Sequence, residues 1–370
     1  MRDTLRARNI FVMLTNRCNL RCSYCYESGK NDLSADAPTI KEYLRKELDE
    51  GLFDEYFVVF HGGEPFLEFS LMREISQWCW SEYPHRSIRC ITTTNGTCLN
   101  REMKEWLRDN RERFTAILSL DGGRQTHNHN RCRSFDLIDR DFFAATWPGQ
   151  PVKMTVSPDT INSLYADFLE ITGYGLIPNP SLAKEVGWSV KDHLPVFVEQ
   201  ASMLADHYLE HPEITPCELV GIRPSLFKQN PPLAHNRACG AGVNNIAYDI
   251  SGHPYPCHTF MTDLGQAAPD MSGLFDKLAC GNGLEISPGC ADCSVYAACE
   301  PCYGLNFSKR GDMGAFDAAM CEFTKARAKI SVRLYAEMIA SGKPYAVLRG
   351  ISKEELSDMI SGIMYINEAF

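Results

Sequence analysis

Three cysteines in one short loop constrain this chain more than any other feature. Cys18-Asn19-Leu20-Arg21-Cys22-Ser23-Tyr24-Cys25 is a C-x3-C-x2-C array, and it follows the apolar run Ile10 to Leu14, which reads as a first strand. Three thiolates on a tight loop can each take one iron of a cubane cluster and leave the fourth iron without a protein ligand. Full ligation by four cysteines is the electron-transfer arrangement, so a vacancy implies that something else binds there. Zinc is the competing reading. It wants a fourth protein ligand close by, and no His is near in sequence.

The chain has 370 residues and sixteen cysteines, too many for an ordinary reduced enzyme unless they are paired or hold metal. Met1 to Arg8 is charged and lacks an apolar core, and Ile10 to Leu14 is far too short for a signal peptide or a membrane span. A cytoplasmic protein with reduced thiols and no membrane partner is expected, which favours metal ligation over disulfides. The net charge of −10 argues against a nucleic-acid partner. Hydrophobic residues at 44% suffice for a sizeable core.

The first two-thirds alternate between strand and helix patterns. Strands are expected at Ile10–Leu14, Tyr56–Phe60, Ile88–Thr93, Phe114–Leu120 and Val152–Val156, and helices near 39–48, 71–80 and 103–107. Such alternation predicts an α/β fold with a parallel sheet buried on both faces and its chemistry at the carboxyl ends of the strands. Tyr174 to Pro180 is broken by Gly and Pro, so a sixth strand is expected to be short. Val190 to Tyr208 reads as an amphipathic helix, Ser225 to Asn236 as a proline-rich junction, and about 324–339 and 353–366 as a helical tail without cysteines.

Further motifs fall at the ends of those strands. His61-Gly62-Gly63-Glu64-Pro65 follows the second, Thr94-Asn95-Gly96-Thr97 the third and Ser119-Leu120-Asp121-Gly122 the fourth, with His127-Asn128-His129-Asn130-Arg131 after that. With the cysteine array, this order resembles the radical S-adenosylmethionine (SAM) superfamily. The resemblance implies a [4Fe-4S] cluster on Cys18, Cys22 and Cys25 whose open iron binds SAM. It also implies a partial (β/α)6 TIM-type barrel over about residues 1–230. It places Tyr24 against the adenine, the turn Gly62, Gly63, Glu64 and Pro65 at the SAM amino group, and Asn95, Ser119, Asp121 and Arg131 among the SAM contacts. Paired glycines would let backbone carbonyls approach that ligand closely, and Glu64 would add negative charge near the ammonium. Loop packing is the other reading for Ser119 and Arg131.

Cysteines become dense again from Cys239 to Cys321. Cys239, Gly252 and Cys257 give C-x12-G-x4-C; Cys290, Cys293, Cys299 and Cys302 give C-x2-C-x5-C-x2-C; Cys321 follows. This resembles the SPASM domain, expected over 231–325 ahead of a helical extension at 326–370, with one spacing a residue shorter than the family pattern. The resemblance implies two auxiliary iron–sulfur clusters. Cys290, Cys293, Cys299 and Cys321 would hold one. Cys239, Cys257 and Cys302 would hold the other, which lacks an obvious fourth ligand: Cys280, or else Cys217, could supply it, and otherwise that iron is open to substrate or solvent. Cys79, Cys90, Cys98 and Cys132 stand singly and read as small buried hydrophobes.

Cluster potentials are tunable, so auxiliary clusters suit an oxidative outcome on a substrate radical. Relatives of this architecture commonly modify peptides or proteins. The primary expectation is an oxidase making cross-links or dehydrogenations in a ribosomal peptide, served by an external electron donor such as flavodoxin or ferredoxin. An anaerobic sulfatase-maturating enzyme is the rival; there an Asp follows the G-x4-C cysteine, whereas here it is His258, a candidate base or a structural His. A non-catalytic iron–sulfur electron carrier or scaffold is the reading of another class. With the first cluster cysteine at position 18, no leader-binding domain is expected ahead of it, and recognition would fall to the barrel mouth, a separate protein or the helical tail.

Overall fold

Short apolar strands alternating with amphipathic helices can bury their apolar faces only by stacking the helices outside a curved parallel sheet. The computed structural model describes residues 6–27, 29–228, 239–261, 271–280, 288–290 and 292–370. It runs β1 (Ala7–Thr15), α1 (Ala37–Glu50), β2 (Glu55–Gly62), α2 (Phe69–Glu82), β3 (Ser87–Thr94), α3 (Arg101–Asp109), β4 (Phe114–Leu118), α4 (Arg124–Asn130), α5 (Arg140–Thr146), β5 (Pro151–Val156), α6 (Leu164–Gly173), β6 (Ile177–Leu182) and α7 (Val190–Glu210). Strands β1 to β4 pair in parallel in chain order, and β5 and β6 form a second parallel pair. A bridge between Ser119 and Lys153 joins β4 to β5. The result is the expected partial barrel of six strands with helices outside. Among the described residues no helix is long and apolar enough to cross a membrane.

The strands are not buried on both faces. On β2, Tyr56, Val58 and Phe60 are buried under the helices with Leu44, Leu48, Met72 and Ile75, whereas Phe57, Val59 and His61 on the alternate face are only half-covered. That inner face lines the mouth of an open barrel. β6 is six residues long despite Pro178 and Pro180. The two prolines lie two residues apart, so both missing N–H donors fall on the same edge, and β6 pairs only with β5.

The C-terminal part adds to the other side of β1. A hairpin of β7 (Asn245–Tyr248) and β8 (Pro254–Tyr255) extends the sheet, with β7 parallel to β1. The inward residues Phe11 and Met13 of β1 pack against Cys257, Phe260 and Tyr303. Then come α8 (Ser272–Cys280), α9 (Tyr303–Arg310), α10 (Ala318–Ser341) and α11 (Lys353–Ala369). α10 begins earlier than its apolar pattern shows, capped by Asp317, so Cys321 sits in its first turn rather than ahead of a cysteine-free tail. It packs along α7, with Phe323 between Trp188 and Phe197. Most of the proline-rich junction, 229–238, lies outside the described residues.

One buried charge ties the hairpin to the barrel. Glu47 on α1 accepts from the Arg8 guanidinium at 2.9 Å and from Tyr248 Oη at 2.6 Å, and Tyr43 stacks on Tyr248 at 4.1 Å. Glu47→Ala leaves Arg8 without its carboxylate in a buried setting and is expected to cost about 3–5 kcal/mol. Glu74→Ala, which breaks the more exposed Lys41–Glu74 pair, is expected to cost under about 1 kcal/mol. Thermal melts of the two variants check this; equal melting temperatures would show that Glu47 holds nothing together.

Candidate active site

The cysteine loop and the turns after β2, β3 and β4 meet at the carboxyl end of the barrel. Cys18, Cys22 and Cys25 share a cavity of about 280 Å³ with Gly62, Gly63, Glu64, Asn95, Ser119 and Arg131. The glycine pair is required by the loop itself. A Cβ on Gly62, at φ +152°, would lie 2.4 Å from the Thr15 carbonyl oxygen, and one on Gly63 would lie 2.2 Å from that of Arg17. The N–H groups of Gly63 and Glu64 donate to those same carbonyls at 2.9 and 2.8 Å. The turn is therefore clamped backbone-to-backbone on the start of the cysteine loop.

Glu64 is buried, and its carboxylate accepts from Phe66 N, Thr94 Oγ1 at 2.7 Å and Asn95 N at 2.8 Å. Burial raises its pKa, and those hydrogen bonds oppose the rise. Both oxygens are thus occupied in fixing the turn after β3. Asn95 in turn donates to Asn19 of the cysteine loop at 2.9 Å. Pro65 opens the short 3-10 turn Pro65–Glu68 and is itself buried.

Asp121 is the second fixed point. Its carboxylate receives Tyr24 Oη at 2.6 Å and the Thr155 N–H at 3.0 Å and forms an ion pair with Arg131 at 3.0 Å. The Arg131 guanidinium lies 5.4 Å from the centre of the Tyr24 ring. Burial works against the Arg131 charge, yet Asp121, Tyr24 and Cys22 outweigh it and push its pKa up. These residues, read from the sequence as separate ligand contacts, form one buried network joining the cysteine loop, α4 and β5. Ser119 is buried and its N–H donates to Thr94 O at 2.8 Å.

Burial favours the protonated thiol at Cys18 and Cys22. Burial raises Cys18, and it pushes Cys22 up to about 11 against the pull of Arg131. Loading metal there must displace those protons. Cys79 and Cys90 are buried as expected, but Cys98 is only half-buried and Cys132 is exposed. Cys132, at φ +54°, accepts from Arg21 N at 3.2 Å and donates to Arg21 O at 3.0 Å, so it braces the cysteine loop rather than filling a core.

The later cysteines fall into two electrostatic neighbourhoods. Cys299 is pushed up to about 12 by burial and by Cys321, Cys293 and Cys290. Cys239 is raised by burial and by Cys257 and Cys302, and Cys302 Sγ donates to Thr259 Oγ1 at 3.6 Å. Cys290, Cys293, Cys299, Cys302 and Cys321 line a cavity of about 410 Å³. Cys217 stands apart beside Tyr208 and Arg327, and the side chain of Cys280 lies outside the described residues. Among the described residues no cysteine is in a disulfide and no three His, Cys, Asp or Glu side chains converge as one zinc ion demands.

Several lining groups escaped the sequence. Tyr26, Glu27, His61, Lys153 and Lys184 all line the first cavity. His61 Nε2 pairs with Glu27 Oε1 at 3.0 Å, and its ring lies 4.6 Å from that of His258. His258 packs on Phe11 at 4.5 Å with Nδ1 3.3 Å from Cys257 Sγ, and burial pushes its imidazole down to about 4. Tyr26 and Glu27 directly follow Cys25, which is a signal; Lys184 carried none.

Because Gly63 touches backbone, not a movable side chain, Gly63→Ala must shift the cysteine loop. It is expected to cost about 1–3 kcal/mol, the scale of overpacking a tight site. A thermal melt checks this; an unchanged melting temperature would remove the clamp from the account.

Residues 12–138 match the radical SAM superfamily. The chain is 34% identical over 129 residues to the serine-type anaerobic sulfatase-maturating enzyme of Bacteroides thetaiotaomicron, covering 31% of this chain and 29% of that one. It spans between 28% and 48% of the length of the curated relatives it matches. Among solved structures, anSMEcpe with bound AdoMet and the Kp18Cys peptide is similar at a TM-score of 0.71 and 17% identity, covering 91% of this chain and 100% of that one. SuiB of Streptococcus suis bound to precursor peptide SuiA is similar at 0.59 and 18%, covering 84% and 75%. At such identities the likeness is one of fold. The cysteine loop and the clamped turns fall inside the matched stretch: residues 12–138 are a radical SAM domain, and the chain around them has the fold of anSMEcpe and SuiB.

Proposed function

We propose that this chain is a radical SAM oxidase of peptides, carrying two auxiliary iron–sulfur clusters and forming a cross-link or a desaturation in its substrate. The observation that carries the reading is a shared space. Lys153, Ser181, Leu182, Lys184 and Leu305 line both the cavity of the first cysteine loop and the cavity of the later cysteines. A substrate held there reaches both cysteine regions at once. The peptide complexes of anSMEcpe and SuiB, whose fold this chain shares, support a peptide as the occupant.

With its cluster and SAM bound, the Cys18-Cys22-Cys25 site would supply a 5′-deoxyadenosyl radical able to take hydrogen from an unactivated C–H bond. Clusters on Cys290, Cys293, Cys299 and Cys321, and on Cys239, Cys257 and Cys302 with Cys280, would take up the electron left on the substrate. The chain's own residues set the geometry. The Gly62–Gly63 clamp and Glu64 fix one wall; Asp121, Arg131 and Tyr24 fix the other. Ser119 and Asn95 complete the cofactor wall. His258, neutral and packed between Phe11 and His61, keeps a lone pair for the proton that leaves the oxidised substrate. Its low basicity suffices, because a carbon radical that has lost an electron is strongly acidic. A flavodoxin or ferredoxin would supply the electron for SAM cleavage.

Sulfatase maturation is the second reading, favoured by the likeness to the Bacteroides enzyme. It uses the same machinery on a protein substrate, and His258 in place of the Asp sets the two apart.

Each short peptide encoded beside the gene is co-expressed with the enzyme without oxygen, and its intact mass is measured. Loss of paired hydrogens is expected, and it should vanish with Cys18→Ala. Unchanged masses throughout, with a sulfatase peptide converted to formylglycine, would transfer the function to the second reading. His258→Ala is expected to abolish peptide oxidation while iron content and SAM cleavage persist. Unaltered turnover would discard the base, and lost iron would make His258 a prop for Cys257.

A further inference from the structure

Among the described residues, two lysines of the shared mouth form no hydrogen bond or ion pair. Every acid lining the first cavity is engaged. Glu27 pairs with His61, and Glu64 accepts from Phe66 N, Thr94 and Asn95 N. Beside them, Glu185 is held in a bidentate pair by Arg310 at 2.8 and 2.9 Å, which removes the acid adjacent in sequence to Lys184. Arg131 is neutralised by Asp121, and Lys30 donates to Leu20 O. Lys153 and Lys184 make no hydrogen bond and no ion pair among the described residues, yet both line both cavities.

Their positions are fixed by the barrel. Lys153 lies on β5, and its carbonyl accepts from Leu120 N at 2.9 Å; Lys184 follows β6, after Ala183, whose N–H donates to Val156 O at 2.8 Å. Both lysines are solvent-exposed at the mouth, each ammonium acts electrostatically on the half-buried His258, and Arg131 and Lys184 disfavour the charge on Lys153. Glu218, Glu300 and Asp317 line the second cavity, but neither lysine forms an ion pair with them; two like charges left unpaired among the described residues, in a chain whose net charge is −10, mark a place prepared for an anion.

We propose that Lys153 and Lys184 anchor a carboxylate of the substrate, so that the molecule modified here presents an acidic side chain or a free C-terminal carboxylate close to the carbon that loses hydrogen. The proposal rests on the reading of the site as a peptide oxidase. Two charge-assisted contacts fix one end of a flexible chain, and this orientation selects which C–H bond faces the first cysteine loop.

The test uses the iron-reconstituted protein with SAM bound, titrated calorimetrically with three probes: acetyl-triglutamate amide, acetyl-triglutamine amide and acetyl-triglutamine with a free carboxylate. At least one of the carboxylate peptides is expected to bind about tenfold or more tighter than the neutral one, the scale of a hydrogen bond to a charged group. Which of the two does so tells whether a side chain or the C-terminus is read. The advantage should be lost in Lys153→Met/Lys184→Met and kept in Lys153→Arg/Lys184→Arg, with iron content and SAM affinity at wild-type level in both. Equal binding of all three probes overturns the proposal. So does a fall in SAM affinity or iron content in the methionine variant, which would assign the lysines to the cofactors. Free glutarate is the control for the underlying reading: lysine-dependent binding of glutarate without binding of any tripeptide upholds the anchor and rejects the peptide.

Discussion

The backbone of the Gly62–Gly63 turn lies directly on the backbone of Thr15 and Arg17, too close for any side chain to intervene. Everything at the mouth of the barrel depends on that contact. It sets where the cysteine loop leaves β1, and it brings Glu64 to the end of β3. Glu64 then uses both carboxylate oxygens to hold Thr94 and Asn95, and Asn95 reaches back to Asn19 within the loop. A loop of three thiols is floppy on its own; clamped in this way it presents them in a fixed arrangement.

The other wall is held by charge rather than by contact. Asp121 binds Tyr24, Arg131 and the Thr155 backbone, so a residue of the cysteine loop, the residue that caps the end of α4 and a strand share one carboxylate. The later cysteines are positioned by the barrel too. Cys257 packs with the inward Met13 of β1, and Cys321 opens α10, whose remaining turns lie along α7. The two halves are therefore built on common elements, strand β1 and helix α7.

Much of this was legible in the sequence. The strand and helix order, the C-x3-C-x2-C loop and the strand-end turns all follow from local pattern, because chain order places those turns at the same end of a parallel barrel. What pattern could not supply is which residues share an atom. Asp121 and Arg131 were each readable as contacts to a ligand, but only the fold shows that they bind each other and Tyr24. Glu64 was readable as a charge near an ammonium; burial and three donors make it a strut first. The prolines of β6 argued for a short strand because sequence does not show which edge is open. Cys321 seemed to precede the tail helix because the first turn of α10 is capped by Asp317 without a strong apolar stripe. Lys184 left no trace, since a single lysine after a strand is ordinary until its neighbours' charges are counted.

The central claim is that the first cysteine loop holds a cluster with an open iron and the later cysteines hold clusters without a need for SAM. Mössbauer and EPR spectra of the anaerobically reconstituted protein, recorded with and without SAM and accompanied by iron and zinc analysis, test it most directly. The account predicts cubane clusters throughout, with SAM perturbing one of them and that response absent from Cys22→Ala. Zinc in place of iron at the later cysteines, or spectra that SAM leaves unchanged, would contradict it.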